Sequence, residues 1–175
     1  MKSSSQIIMS IGVAGLCWLS ACQDKAERNE HRVNNLIISA RQLPSQGNTE
    51  KSRGKHTLTV LLSVQPEKNG TDLMKQGVTK PEEYAQRVET LSFRAADYIS
   101  FRIGEHSLPP TLARYENIHD PSGKVDFIIK LVLEETAWQE MMTDTSRADL
   151  VLEDPYWGTG VHHFTFNSQQ FARSI

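Results

Sequence analysis

The chain has 175 residues, of which 38% are hydrophobic, 7% aromatic and 23% charged, and 19 Lys plus Arg against 21 Asp plus Glu give a formal net charge of −2. That length fits one globular domain. The near balance of charge excludes a polybasic nucleic-acid binder, whose domain carries a pI above about 9, and the hydrophobic share excludes a wholly disordered chain. Two cysteines cannot build a disulfide-dense scaffold.

The chain opens on Lys2 and a mostly apolar run from Ile7 to Leu19. A run of about 13 residues is short for a bilayer span, which takes about 20, but suits the apolar region of a signal peptide. It ends in Leu19-Ser20-Ala21-Cys22, which resembles the lipobox of bacterial lipoproteins. The resemblance implies cleavage before Cys22, a diacylglyceryl group on its thiol and acylation of its new amino group. Residues 1–21 are then a lipoprotein signal peptide, and the first partner is the lipid bilayer, reached through acylated Cys22. One acyl chain binds membranes marginally, whereas several hold firmly. The alternative is an ordinary cleaved signal with an incidental cysteine. Enterobacterial lipoproteins with Asp directly after the cysteine stay at the inner membrane. Gln23 departs from that signal, so the resemblance favours the outer membrane. Cys17 leaves with the signal and Cys22 carries lipid, which excludes disulfides, thiol nucleophiles and cysteine metal ligands from the mature chain.

Residues 22–35 read as a lipidated N-terminus and polar spacer, because Gln23–Val33 is dense in charge and places His31 among polar neighbours. Residues 36–175 then form a single β-rich domain. Leu36-Ile37-Ile38 predicts a short first strand, and the polar stretch Ser45–Lys55 with two glycines a loop. From Thr57, Leu58, Val60, Leu62 and Val64 alternate with Thr57, Thr59, Leu61 and Ser63, the period of a strand. Pro66–Gly70 supplies turn residues, and Asn69-Gly70-Thr71 reads as part of that turn rather than as a glycosylation acceptor. Pro81 starts the one predicted helix, over Pro81–Thr90. Thr79 is its candidate cap, Glu82 and Glu83 lie in the first turn, and Tyr84, Val88, Leu91 and Ala95 fall on one face.

Ile99, Phe101 and Ile103 alternate strictly and predict a strand. Gly104-Glu105-His106-Ser107 reads as a hairpin loop, and Pro109-Pro110 as an edge entry outside any central ladder. Thr111–Asn117 is a polar strand, Asp120-Pro121-Ser122-Gly123 a turn, and Val125–Leu133 a central strand. Glu134–Arg147 stays open between a helical turn carrying Trp138, Met141 and Met142 and a loop over the sheet edge. Leu150–Glu153 and Val161–Phe166 are the last two strands, joined by Asp154–Gly160. The fold class is mainly β: an antiparallel β-sandwich of six or seven strands with one short helix.

Leu91-Ser92-Phe93, the Gly104…Leu108-Pro109 hairpin with Arg114-Tyr115-Glu116-Asn117, and Asp154…Gly158-Thr159-Gly160 resemble stretches of uncharacterised lipoproteins of Bacteroidota-type bacteria. The likeness covers about half the mature chain and implies location and fold, with no activity attached.

Candidate chemistry is sparse. His162 and His163 are adjacent on a predicted strand and point to opposite faces, so they cannot readily chelate one ion. His162 shares a face with Phe164 and Phe166, which reads as a hydrogen-bonded core histidine. No His-Glu-x-x-His or His-x-His spacing is present. Gly-x-Ser-x-Gly, Ser-x-x-Lys and the phosphate-binding Gly-x-x-x-x-Gly-Lys are absent as well. Gly158-Thr159-Gly160 reads as a turn. Glu82-Glu83 suits a helix N-terminus and Glu134-Glu135 a solvated strand end, neither resembling opposed glycosidase carboxylates. No catalytic residue, metal ligand or cofactor is expected.

Tyr156 and Trp157 are the candidate partner-binding residues, since aromatics on a loop at one end of a sandwich give large contact area at little entropic cost. The alternative for Trp157 is a side chain folded back into the core. The sequence thus predicts a membrane-anchored envelope lipoprotein, non-enzymatic, binding a protein or glycan partner through the Asp154–Gly160 loop or the Pro109-Pro110 edge. Two other classes stay open: a hydrolase using His119, Asp120, Asp154 and His163, and an immunity or inhibitor lipoprotein that neutralises an envelope toxin.

Overall fold

The computed structural model describes residues 29–44, 54–68, 70–116, 122–142 and 147–174. The signal segment with Cys22, the 45–53 part of the loop, Asn69, Asn117, His119, Asp120 and Pro121 lie outside the described residues. Among the described residues the strands are Asn29–Val33 (β1), Leu36–Gln42 (β2), Lys55–Pro66 (β3), Ile99–Ile103 (β4), His106–Leu108 (β5), Leu112–Glu116 (β6), Val125–Glu134 (β7), Arg147–Glu153 (β8), Val161–Asn167 (β9) and Ala172–Ser174 (β10). Two α-helices accompany them, Pro81–Phe93 (α1) and Glu135–Met142 (α2).

Strand side chains alternate between faces, and the sequence uses that period to make two apolar faces. In β3, Leu58, Val60, Leu62 and Val64 turn inward. They lie across from Leu131, Ile129, Phe127 and Val125 of β7 in the long central ladder. The order β1-β2-β3-β7-β6, with β10 beside β3, makes a six-stranded sheet, and β5-β4-β8-β9 a four-stranded one. All pairings are antiparallel. Phe101, Leu150, Phe164 and Phe166 of the small sheet join the inward residues of the large one in a single apolar cluster. The predicted antiparallel sandwich is therefore the fold, with more strands than six or seven. The additions are β1, β5 and β10: β5 and β10 span three residues each, too few for periodicity to reveal, and β1 is a polar edge strand with little apolar alternation.

β1 corrects the spacer reading. Asn29–Val33 pairs with β2 through a hairpin turned by Asn34 and Asn35, with φ of 52° and 62°, the left-handed pair that a tight hairpin needs and Asn tolerates. Its charges all sit outward: Glu30 and Arg32 are exposed and pair at 2.9 Å, while His31 and Val33 face inward. An edge strand can be mostly polar, because water solvates one side of its backbone and charge discourages further pairing.

Local differences have local causes. α1 runs three residues past Thr90, and Glu83 rather than Thr79 satisfies its N-terminus, accepting from the Thr79 and Lys80 backbone N–H groups at 2.8 and 3.3 Å. The β4–β5 hairpin loop is only Gly104-Glu105, with Gly104 at φ 58°, so His106 and Ser107 belong to β5. Pro109 and Pro110 lie outside both ladders and carry the chain from the edge of the small sheet to that of the large one. Pro110 is buried. The open Glu134–Arg147 stretch is helical over α2, where Trp138 stacks on His56 at 4.2 Å and packs on Phe171 at 4.7 Å. Among the described residues, no helix is long and apolar enough to cross a membrane.

Candidate functional site

The Asp154–Gly160 loop is built on one carboxylate. Asp154 Oδ1 accepts from the Tyr156 and Trp157 amides at 2.8 and 2.9 Å, while Oδ2 accepts from the Thr159 amide at 2.7 Å and its hydroxyl at 2.6 Å. An Asx side chain that bonds its own downstream amides preorganises a turn, and Gly158 and Gly160 supply the positive φ of 67° and 85°. Asn34 Nδ2 donates to the Gly158 carbonyl at 2.8 Å, tying the loop to the β1–β2 hairpin. Asp154 is thus a loop organiser with both oxygens engaged. His163 lies exposed on the outer face of β9 opposite Val151. The structure does not bring these two into one acid–base arrangement.

The loop sends its two aromatics in different directions. Trp157 is 7% exposed, packs beside Leu91, Ile99, Phe127 and Leu152, and donates its Nε1–H to the Leu73 carbonyl at 3.1 Å. The expected contact surface of two aromatics is therefore corrected: Trp157 is core, because its ring fills the gap between α1 and both sheets and its N–H finds a buried acceptor. Tyr156 stays half-buried, edge-on to Trp157, with its ring 4.8 Å from the Arg87 Cζ.

Arg87 is the side chain around which this end of the molecule is arranged. It comes from the inward stripe of α1 and is 7% exposed. Its Nη1 donates to the Leu73, Met74 and Gln76 carbonyls at 2.9, 3.3 and 2.9 Å, holding the Leu73–Gly77 turn against the helix. Its Nε is buried without a hydrogen-bond partner. Gly77, Val78, Thr79, Glu83, Gln86, Arg87 and Tyr156 line a cleft of about 350 Å³. Backbone N–H donation from Thr79, assisted by its hydroxyl, the Lys80 amide and the Arg87 charge, holds the Glu83 carboxyl below the usual range against a smaller opposing effect of desolvation.

A second polar feature sits where the sheets meet at β1 and β9. His162 is 4% exposed, its Nδ1 is 3.2 Å from His31 Nδ1, and its Nε2 has no partner. Burial, then the neighbouring His31, lower its pKa, with Asp154 partly opposing. The inward, hydrogen-bonded placement of His162 matches the sequence reading. The assignment of His31 to a spacer does not, for it packs on Phe164 at 4.9 Å. Among the described residues, no group of three or more His, Cys, Asp or Glu could hold a metal ion.

Sequence reasoning missed Arg87. A signal was present: position 87 lies three residues after Tyr84 and four before Leu91, so a cation interrupts an otherwise apolar helical stripe. Buried arginines need partners, and that conflict marks the position. Comparison with protein families, curated proteins and solved structures yields no match.

Proposed function

We propose that this chain is a lipid-anchored lipoprotein of the bacterial envelope, held by acylated Cys22 and favouring the outer membrane. Its β-sandwich is a non-enzymatic binding module for a protein or glycan partner. The contact is the cleft between the Leu73–Thr79 segment, α1 and Tyr156. The observation that carries the reading is Tyr156, a half-exposed aromatic on a loop preorganised by Asp154 and laid beside a buried guanidinium. Rigid aromatics and arginines dominate binding energy in such patches. The address rests on Lys2, the apolar run and Leu19-Ser20-Ala21-Cys22.

Crosslinking in the native host followed by capture of the tagged protein tests both halves. Tyr156→Ala is expected to lose the captured partner while unfolding at the same denaturant concentration as the parent. Cys22→Ser is expected to release the protein from the membrane fraction. Undiminished capture by Tyr156→Ala overturns the contact, and membrane retention of Cys22→Ser overturns the anchor.

A further inference from the structure

We propose that the His31–His162 contact is an acid-sensitive latch: it holds β1 against β9 while one proton lies between the two rings, and it opens when the pair binds a further proton. The inference goes beyond the partner reading and does not depend on it.

β1 and β9 belong to different sheets, and among the described residues no backbone ladder joins them. Side chains close the seam instead. His162 Nδ1 meets His31 Nδ1 at 3.2 Å, Asn29 Nδ2 donates to the Thr165 carbonyl at 2.7 Å, and Asn34 Nδ2 donates to the Gly158 carbonyl at 2.8 Å. The His31 ring also packs on Phe164. Of these groups only the two imidazoles take up protons in the range where histidine titrates.

Two ring nitrogens that face each other form a hydrogen bond only when one carries the proton and the other offers a lone pair. The neutral pair meets this condition at least cost with His162 as donor, because its buried, partnerless Nε2 then carries no hydrogen. A further proton has no suitable place in the closed seam. On His162 Nε2 it makes a charged N–H without a partner, on a residue only 4% exposed. On His31 Nδ1 it sets two N–H groups against each other. Turning His31 into the donor moves the hydrogen of His162 to Nε2, where it is again buried and unpaired. Each arrangement leaves a buried polar group unsatisfied, which is costly.

The surroundings do not compensate. Opposite His31 lies Ile38 of β2, and opposite His162 lies Leu152 of β8. Glu30 and Arg32 of β1 are exposed and pair with each other, and His163 of β9 is exposed too. Asp154 attracts a charge on His162 from the β8–β9 loop, but its oxygens are held by the Tyr156, Trp157 and Thr159 amides. Burial first, then His31 and lastly His163, favour neutral His162, against Asp154 and the Thr159 backbone. Opening gives the rings to water, so the open form binds the proton more readily and acid favours it. Release uncovers Phe164 and the Thr165 carbonyl on β9, the end strand of the small sheet.

The test reads solvent access to the seam of the full chain in detergent, from line broadening by a neutral soluble nitroxide. The pH is lowered from about 7 to about 4.5, across the ordinary imidazole value of about 6.5. The Asn29 side-chain amide and the Phe164 ring are expected to become accessible, the open fraction rising by up to about tenfold per pH unit. The Leu62 and Ile129 methyls of the β3–β7 ladder are expected to stay shielded. His162→Gln still offers His31 an amide but takes up no proton, and is expected to stay closed throughout. Should that variant unfold, His31→Gln at its half-buried position serves. There His162 Nδ1–H donates to an amide oxygen in both charge states, and the open fraction at the lowest pH is expected to fall severalfold. His163→Gln, on the outer face, is expected to behave as the parent. A seam that stays shielded at every pH overturns the latch, as does one that opens only together with Leu62 and Ile129. Undiminished acid opening in His31→Gln overturns it as well.

Discussion

Arg87 and Trp157 donate to the same buried oxygen, the carbonyl of Leu73, at 2.9 and 3.1 Å. One acceptor thereby joins α1, the segment before it and the β8–β9 loop. Either donor alone can still satisfy that carbonyl, so the two residues should be energetically coupled. Trp157→Phe keeps most of the ring volume and is expected to cost about 1–2 kcal/mol. Combined with Arg87→Met it leaves the carbonyl unpaired, and the loss should exceed the sum of the single losses by about 1 kcal/mol. Urea unfolding of both singles and the double measures this. Strict additivity would show that the shared acceptor carries no coupling.

Gly123 and Gly158 both have positive φ, 74° and 67°, but their surroundings differ. A Cβ on Gly123 would lie 1.9 Å from the Thr71 carbonyl oxygen, a backbone atom, whereas one on Gly158 meets nothing within 4 Å. Gly158→Ala is therefore expected to cost about 1 kcal/mol, from the left-handed backbone alone. Gly123→Ala adds displacement of the 71–72 backbone and is expected to cost about 3 kcal/mol or more. Thermal unfolding should rank the two clearly, and equal costs would contradict the close approach.

The burial of His162 makes stability depend on pH. The His162 pKa is lowered in the fold by burial and by His31, so the unfolded chain binds its proton first as pH falls. The stabilisation is complete above the unfolded value of about 6.5. It is lost as pH drops from there through the lower folded value, and then levels. Denaturant unfolding at a series of pH values should show this decline, and His162→Leu should flatten it. A curve of unchanged slope in that variant would assign the effect elsewhere.

Asp154 should matter to shape before it matters to contact. Asp154→Ala removes the acceptor for the Tyr156, Trp157 and Thr159 amides and is expected to cost about 2–3 kcal/mol. Asp154→Asn keeps one acceptor oxygen and should cost less. Partner capture is expected to weaken in both, tracking the loss of loop order seen as faster amide exchange at Thr159. Full capture by Asp154→Ala would show that loop preorganisation plays no part.

The strands at the centre of the sandwich were legible because their information is local. Leu58, Val60, Leu62 and Val64 state a period of two within a few residues, and that period both forms the strand and selects its inward face. The same reasoning placed Ile99, Phe101 and Ile103 in β4, oriented His162 inward, and located the Asp154–Gly160 loop between the last predicted strands. What lay beyond it was relational. Asn29–Val33 looks like a spacer until β2 is present to pair with it, and Trp157 faces solvent or core according to what α1 leaves unfilled. His31 meets His162 across 131 positions of sequence, and Tyr156 comes to Arg87 from a different element. Periodicity along the chain determined which faces turn inward, because each strand carries that signal itself. Only tertiary packing decided which polar groups were buried together, because a hydrogen-bond partner is set by proximity in space and carries no local mark.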